Sequence, residues 1–308
     1  MNLSASMVKE LRQKSGAGMM DCKKALVETN GNMEDAIDWL RKQGLSAVAK
    51  KSSRVAAEGL IGVSINDVQG AMVEINSETD FVARNELFQN FVKKCSSLAL
   101  THKSDINKLK DLQFPGTDRS VDQELGNNIA TIGENMNIRR VEYLEVSKGI
   151  LVSYIHNKIT DDLGKLGVIV AIETQAKESL LLDVGKQIAM HIAATSPKAV
   201  NIDDLDIDLV NREREVLIDQ AMSSGKPKEI AEKIVQGRLQ KFFQEVVLNE
   251  QISVIDGETK IKDIIKKLSN DLGAEVRIKD FKIFKLGEGI EVAKNDFAAE
   301  VAATADMK

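Results

Sequence analysis

Residues 58–65 read EGLIGVSI and residues 148–155 read KGILVSYI; residues 70–76 read GAMVEIN and residues 167–173 read GVIVAIE. Each run is short, rich in Ile and Val, and bounded by glycine or polar residues, as a buried strand should be. A helical pattern follows the second run of each pair, over 85–100 in the first copy and 179–194 in the second. Two strands and a helix, written twice, define a duplicated α+β unit with antiparallel sheets. A further strand-like segment, RRVEYLEV (139–146), precedes the second copy, and VRIKDFKIFKLG (276–287) is expected to return to the sheet.

The copies part after their second strand. The first continues as SETDFVAR (77–84), the second as TQAKES (174–179), which has no aromatic residue. The fold therefore does not demand the Asp80-Phe81 pair, and two readings of it stand. Thr79 or Asp80 caps the next helix, worth about 1 kcal/mol, while Phe81 folds back as a hydrophobic staple. Alternatively Phe81 is a wedge that enters a partner's apolar cleft, with Asp80 beside it; aromatic anchors of this kind dominate protein interfaces.

The flanks are helical. Residues 1–54 read as a three-helix module: a first helix from Ser4 or Ser6 to Ser15, a second from Met19 to Thr29 ending at Asn30-Gly31, and a third carrying Met33, Ala36, Ile37 and Leu40 and ending near Gly44. The small, basic stretch SAVAKKSSR (46–54) reads as a linker. Residues 55–138 form a first core subdomain and 139–289 a second. Inserted in the second, residues 201–248 form a projecting helical hairpin, broken at Ser224-Gly225-Lys226-Pro227 and carrying an apolar seam at Ala231, Ile234, Val235, Leu239, Phe242 and Val246. Residues 290–308 are a C-terminal module with a short helix at 295–303.

Composition excludes several classes of function. A net charge of −5 argues against nucleic acid as the main partner, because phosphate binding needs a concentrated positive field. No apolar run approaches the roughly 20 residues of a membrane span, the N-terminus lacks a secretory core, and Cys22 and Cys95 make no metal or redox motif. The expected location is a reducing cytoplasm. Gly16-Ala17-Gly18 follows a helix and lacks the third glycine of a dinucleotide fingerprint. Gly225-Lys226 meets Pro227 where a P-loop needs Ser or Thr, and the run DDLDID (203–208) lacks the EF-hand glycine and terminal Glu. His191, on an apolar helix, reads as a satisfied core group; His102 reads as solvated. His156 ends a strand at the mouth of the polar loop HNKITDD. No triad, metal site or cofactor site can be assembled, so the protein is expected not to be an enzyme.

LRQKSGAGMMDCKKAL (11–26) and EINSETDFVAR (74–84) resemble the two motifs of the bacterial elongation factor Ts family. IGENMNIRR (132–140), SGKPKEIAEK (224–233) and DFAAEV (296–301) resemble further parts of it, in the same order along the whole chain. The resemblance implies a guanine-nucleotide exchange factor that binds elongation factor Tu in its GDP form and promotes GDP release. It implies a ubiquitin-associated-like N-terminal module, a two-part core and a coiled-coil hairpin, the last a candidate dimerisation surface. Carried over by residue, Thr79, Asp80, Phe81 and Val82 would push into the partner's GTPase domain and dislodge its Mg²⁺. His156 would disturb the partner's phosphate loop, Ile132 and Gly133 would touch the same domain, and Met19, Met20 and Lys23 would dock the N-terminal module. Residues 295–303 would touch a neighbouring helix. No cofactor or small-molecule substrate of its own is implied. Two departures stand out: Lys165 replaces an arginine after a longer loop than usual behind His156, and Ser77 stands where cysteine is common.

A rival reading comes from another class: a translation-linked scaffold that uses residues 1–54 to bind helices or RNA. That module holds ten Lys or Arg against six Asp or Glu, which reads first as a solvated face.

Overall fold

The computed structural model describes residues 4–15, 17–176, 179–223 and 228–291. Strands β1 (Glu58–Ile65) and β2 (Gln69–Ser77) pair antiparallel, and β3 (Met136–Glu145) pairs with the far edge of β2. Strands β4 (Gly149–Thr160), β5 (Leu163–Thr174) and β6 (Val276–Lys285) repeat this arrangement, with β5 in the centre. The segment 139–146 is thus no preface to the second copy. It is the third strand of the first, as β6 is of the second, and a boundary at 138/139 would cut through it. The repeat is one strand longer than the sequence pattern suggests, because helices separate each third strand from its partners along the chain.

The two copies match in detail. Gly59 and Gly149 open the first strands with φ of +125° and +131°, and an added Cβ would stand 2.2 Å from the Ile75 carbonyl oxygen in one copy and 1.9 Å from that of Ile172 in the other. Only glycine tolerates both the dihedral and the approach. A register shift falls between Glu74 and Ile75 in the first copy and between Ala171 and Ile172 in the second, the same position of the motif. The copies join through β1 and β5, where Ile61 faces Gly164 and Gly62 faces Leu163, so one curled six-stranded sheet results rather than separate sheets.

Alternation along the strands gives each copy two apolar faces. Leu60, Val73 and Ile75 turn outward against α4 (Glu86–His102), α5 (Ile106–Asp111) and α6 (Val121–Ile132). Val168, Val170 and Ile172 do the same against α7 (Ser179–Thr195) and α10 (Ile261–Leu272). The inner faces meet over a third cluster that includes Ile61, Met72, Leu151, Ile169 and Phe284. One charged group enters this inner layer. Glu74, fully buried, receives the Arg139 and Arg140 guanidinium groups and the Gly287 amide. Its counterpart in the second copy is Ala171.

Between α7 and α10 the second copy carries α8 (Ile207–Ser223) and α9 (Lys228–Val246), which pack on each other through Val210, Leu217, Ala231, Val235, Leu239 and Phe243. The helical hairpin expected over 201–248 is therefore present; its break at 224–227 lies outside the described residues. Where the hairpin stands, the first copy has only the short α5.

At the N-terminus, α1 (Ala5–Ser15) and α2 (Met19–Glu28) enclose Leu11, Cys22, Ala25, Leu26 and Ala36 together with α3 (Met33–Lys51). Asn32 caps α3 by accepting the amides of Glu34 and Asp35. This helix does not end near Gly44. Its Ala and Lys residues are good helix formers, no proline or glycine stops it before Ser52, and α6 supplies a surface to pack on. The stretch read as a linker is mostly helix.

Candidate protein-interaction site

The turn after β2 was open to two readings, and the structure rejects the capping one. The side chain that caps α4 is Asn85, whose Oδ1 accepts the Leu87 amide at 2.9 Å. Residues Val82–Arg84 form a single 3-10 turn, with Ala83 N–H donating to the Asp80 carbonyl and Arg84 N–H to that of Phe81. Phe81 does not fold back as a staple: it is 75% exposed, the most exposed large apolar residue described, and Asp80 beside it is exposed as well. Val82 points the other way, buried in the first core cluster with Ala83. Of the four residues in the motif, Val82 anchors the turn while Asp80 and Phe81 project from it.

An exposed ring on a turn needs its backbone fixed if it is to act as a wedge, and three hydrogen bonds supply this. Thr79 donates its amide to Glu134 Oε2 at 2.9 Å and its hydroxyl to Glu134 Oε1 at 2.6 Å. Glu78 answers by accepting the Asn135 amide. Glu134 and Asn135 follow Gly133, which ends α6 with φ +93°, a left-handed cap that glycine adopts without strain. The Gly133 turn and the Thr79 turn are thus clasped together. Ile132, half-buried against the first core, and Gly133, exposed, lie next to the clasp. Pattern reading had singled out both motifs without joining them. Glu78, Glu134 and Asn135 were missed, although all three stand inside motifs already quoted.

His156 lies elsewhere, on the second copy. It is exposed, and its Nδ1 lies 3.1 Å from the Tyr154 hydroxyl. The strand does not end there: β4 runs on to Thr160 and turns at Asp161-Asp162 directly into β5, so the supposed long loop is an extended hairpin. Beneath His156, Gly164 lets β5 cross close; a Cβ there would stand 2.9 Å from the His156 carbonyl oxygen. Lys165, the departure from the family arginine, pairs with Glu58 at 3.1 Å.

Met19 and Met20 are 59% and 72% exposed at the start of α2, with Lys23 one turn on and Val27 exposed after it. Together they make an apolar knob edged by lysine. Leu87, on the first turn of α4 and close in sequence to Phe81, is exposed as well. Residues 295–303 lie outside the described residues.

His191 is fully buried and satisfied: Nε2 donates to Gln251 Oε1 at 2.8 Å and Nδ1 accepts the Val254 amide at 3.2 Å. Burial pushes its pKa below the usual histidine value, opposed in part by the Gln251 bond. It is a core group, as its place on an apolar helix suggested. Among the described residues no helix is long and apolar enough to cross a membrane.

A family model described as Elongation factor TS matches residues 78–288. The Elongation factor Ts of Rhodospirillum centenum is 57% identical over 303 residues, covering 98% of this chain and 99% of that protein. That of Rhodospirillum rubrum is 53% identical over 302 residues, with 98% of each covered. That of Bartonella quintana is 48% identical over 305 residues, with 99% of each covered. The chain belongs to the elongation factor Ts family, and with it to the elongation factors of protein biosynthesis.

Proposed function

We propose that this protein is a guanine-nucleotide exchange factor, acting in the cytoplasm, that binds elongation factor Tu in its GDP form and drives GDP release without covalent chemistry. The observation that carries the reading is Phe81: a large ring held out in solvent on a turn that Glu134 and the Glu78–Asn135 bond keep rigid. Exposure of this kind has no stabilising role within the chain and suits an anchor that is buried only on binding.

Exchange works by reciprocal coupling, since a partner that weakens GDP is itself weakened by GDP. Loosening a nucleotide by about 10³–10⁴-fold requires roughly 4–5.5 kcal/mol of differential binding. Burying one Phe supplies about 1.5–3 kcal/mol, so the wedge needs help. In our reading Thr79, Asp80 and Phe81, seated by Val82, enter the partner's GTPase domain on the Mg²⁺ side. His156 acts on the phosphate side. Ile132 and Gly133 add contact beside the wedge, and Met19, Met20 and Lys23 anchor the N-terminal module.

The test is release of fluorescent GDP from elongation factor Tu at millimolar Mg²⁺ and again in excess EDTA. Acceleration should be large with Mg²⁺ present and much smaller once the chelator has removed the ion. Equal acceleration in both would contradict displacement of Mg²⁺. No acceleration in either would overturn the exchange reading and favour the scaffold.

A further inference from the structure

The N-terminal module is attached to the core by more than its chain connection. Along α6, the backbone of α3 comes so close that a Cβ at Gly44 would already touch Ala130 Cβ at 3.6 Å, and a Cβ at Gly126 would meet Val48 Cγ2 at 3.8 Å. Val48 packs on the first core cluster. At the end of α3, Lys51 Nζ donates to the Ile129 carbonyl at 3.4 Å, placing a cation at the negative end of α6. Past the helix, the Arg54 carbonyl accepts Asn135 Nδ2 at 2.7 Å, and the Arg54 guanidinium lies 3.5 Å from Glu78 Oε1. Asn135 and Glu78 are the residues of the clasp beside Thr79. The end of the module's long helix and the base of the Phe81 turn are therefore held by one hydrogen-bonded group.

We infer that Gly126, Lys51 and Asn135 are positioning residues that join the Met19–Met20–Lys23 face and the Asp80–Phe81 turn into one rigid, two-point contact surface, so that docking of the module aims the wedge. This rests on the exchange reading and adds to it how the sites cooperate. Two contacts on a rigid frame of the right span act as one, because the second forms at high effective concentration and with little ordering cost. On a loose tether the same contacts would act almost separately. The chemistry of the module's face, methionines and Val27 edged by Lys23 and Lys24, fits an apolar groove with an acidic rim on the partner.

Backbone ¹⁵N relaxation of the full chain, alone in solution, tests the frame directly. The α2 amides should share the tumbling time of the β2 and β5 amides. In the Gly126→Leu/Asn135→Ala variant the α2 amides should reorient faster than those strands. If that variant does not fold, Gly44→Leu/Lys51→Ala, altered only on α3, crowds that helix away from Ala130 and removes the bond to Ile129, and serves as the uncoupled chain. A shorter, independent tumbling time for α2 in the unmodified chain would overturn the proposal. For the functional consequence, Met20→Ala should lower the second-order rate of GDP release about tenfold in the unmodified background and less than threefold in the uncoupled one. An equal loss in both would also overturn it. If the unmodified chain released no GDP, the exchange reading would fail, while the relaxation result would still decide whether the frame is rigid.

Discussion

The two halves of the core are the same object built twice, and their agreements and differences separate what the fold needs from what the protein does with it. They agree at Gly59 and Gly149, at the register shift after Glu74 and Ala171, and in three strands backed by helices. They differ at three places. The turn after β2 carries an exposed Phe81 where the turn after β5 has no aromatic. The second copy bears the α8–α9 hairpin where the first has α5. Glu74 carries a buried charge where the second copy has Ala171. The shared features are backbone geometry; of the unshared ones, the Phe81 turn and the hairpin are exposed and available for recognition, whereas Glu74 is an internal pairing of the first copy.

The comparison predicts that a shared feature fails alike in both copies. Gly149→Ala and Gly59→Ala each place a Cβ within 2.2 Å of a carbonyl oxygen at a dihedral that other residues reject. Each should cost about 4 kcal/mol or more in urea unfolding. A large loss in one copy alone would break the equivalence.

Glu74→Ala makes the first copy resemble the second at that position, yet it should not be neutral. It removes the buried carboxylate that pairs with Arg139 and Arg140, which the second copy lacks, leaving them the Glu288 and Lys285 carbonyls and the Glu288 carboxylate, and should cost about 3 kcal/mol. A neutral result would mean that the inner layer tolerates either residue there.

Glu134→Ala removes both acceptors of Thr79 and should lower stability by about 1–2 kcal/mol. It should also slow GDP release, because the wedge loses its support.

The smaller effect of pH should fall on the second copy. Folded His191 has a depressed pKa, so the unfolded chain binds more protons below the ordinary histidine value near 6.5. Its contribution is complete above that pH and is lost as pH falls toward the folded value, because a proton on Nδ1 breaks the Val254 bond. His191→Gln should flatten the slope of stability against pH below about 6.5; an unchanged slope would refute this.

Much of this was legible in the sequence, for physical reasons. Short runs rich in Ile and Val, written twice and bounded by glycine or polar residues, marked β1, β2, β4 and β5, and the apolar seam marked the hairpin. The third strand of each copy was misassigned or left unplaced because its partners are distant in sequence, and hydrophobic pattern does not report pairing. The end of α3 was misplaced because its final turns are polar on one side, and it is the surface of α6 that keeps them helical. Phe81 could be singled out because the repeat lacks it, but its direction could not. Whether Asn85 or Thr79 caps the next helix is decided by Glu134, which engages Thr79 from 55 residues away.

Phe81→Ala should have the smallest effect on stability, within about 0.5 kcal/mol, because the ring is exposed. Its effect on function is the most direct test of the account. Stopped-flow release of a fluorescent GDP from elongation factor Tu, driven by the unmodified chain and by the Phe81→Ala variant, should show strong acceleration by the first and a loss of about 10-fold or more in the second, as removal of about 1.5–3 kcal/mol of buried ring requires. Release by the variant as fast as by the unmodified chain would contradict the wedge.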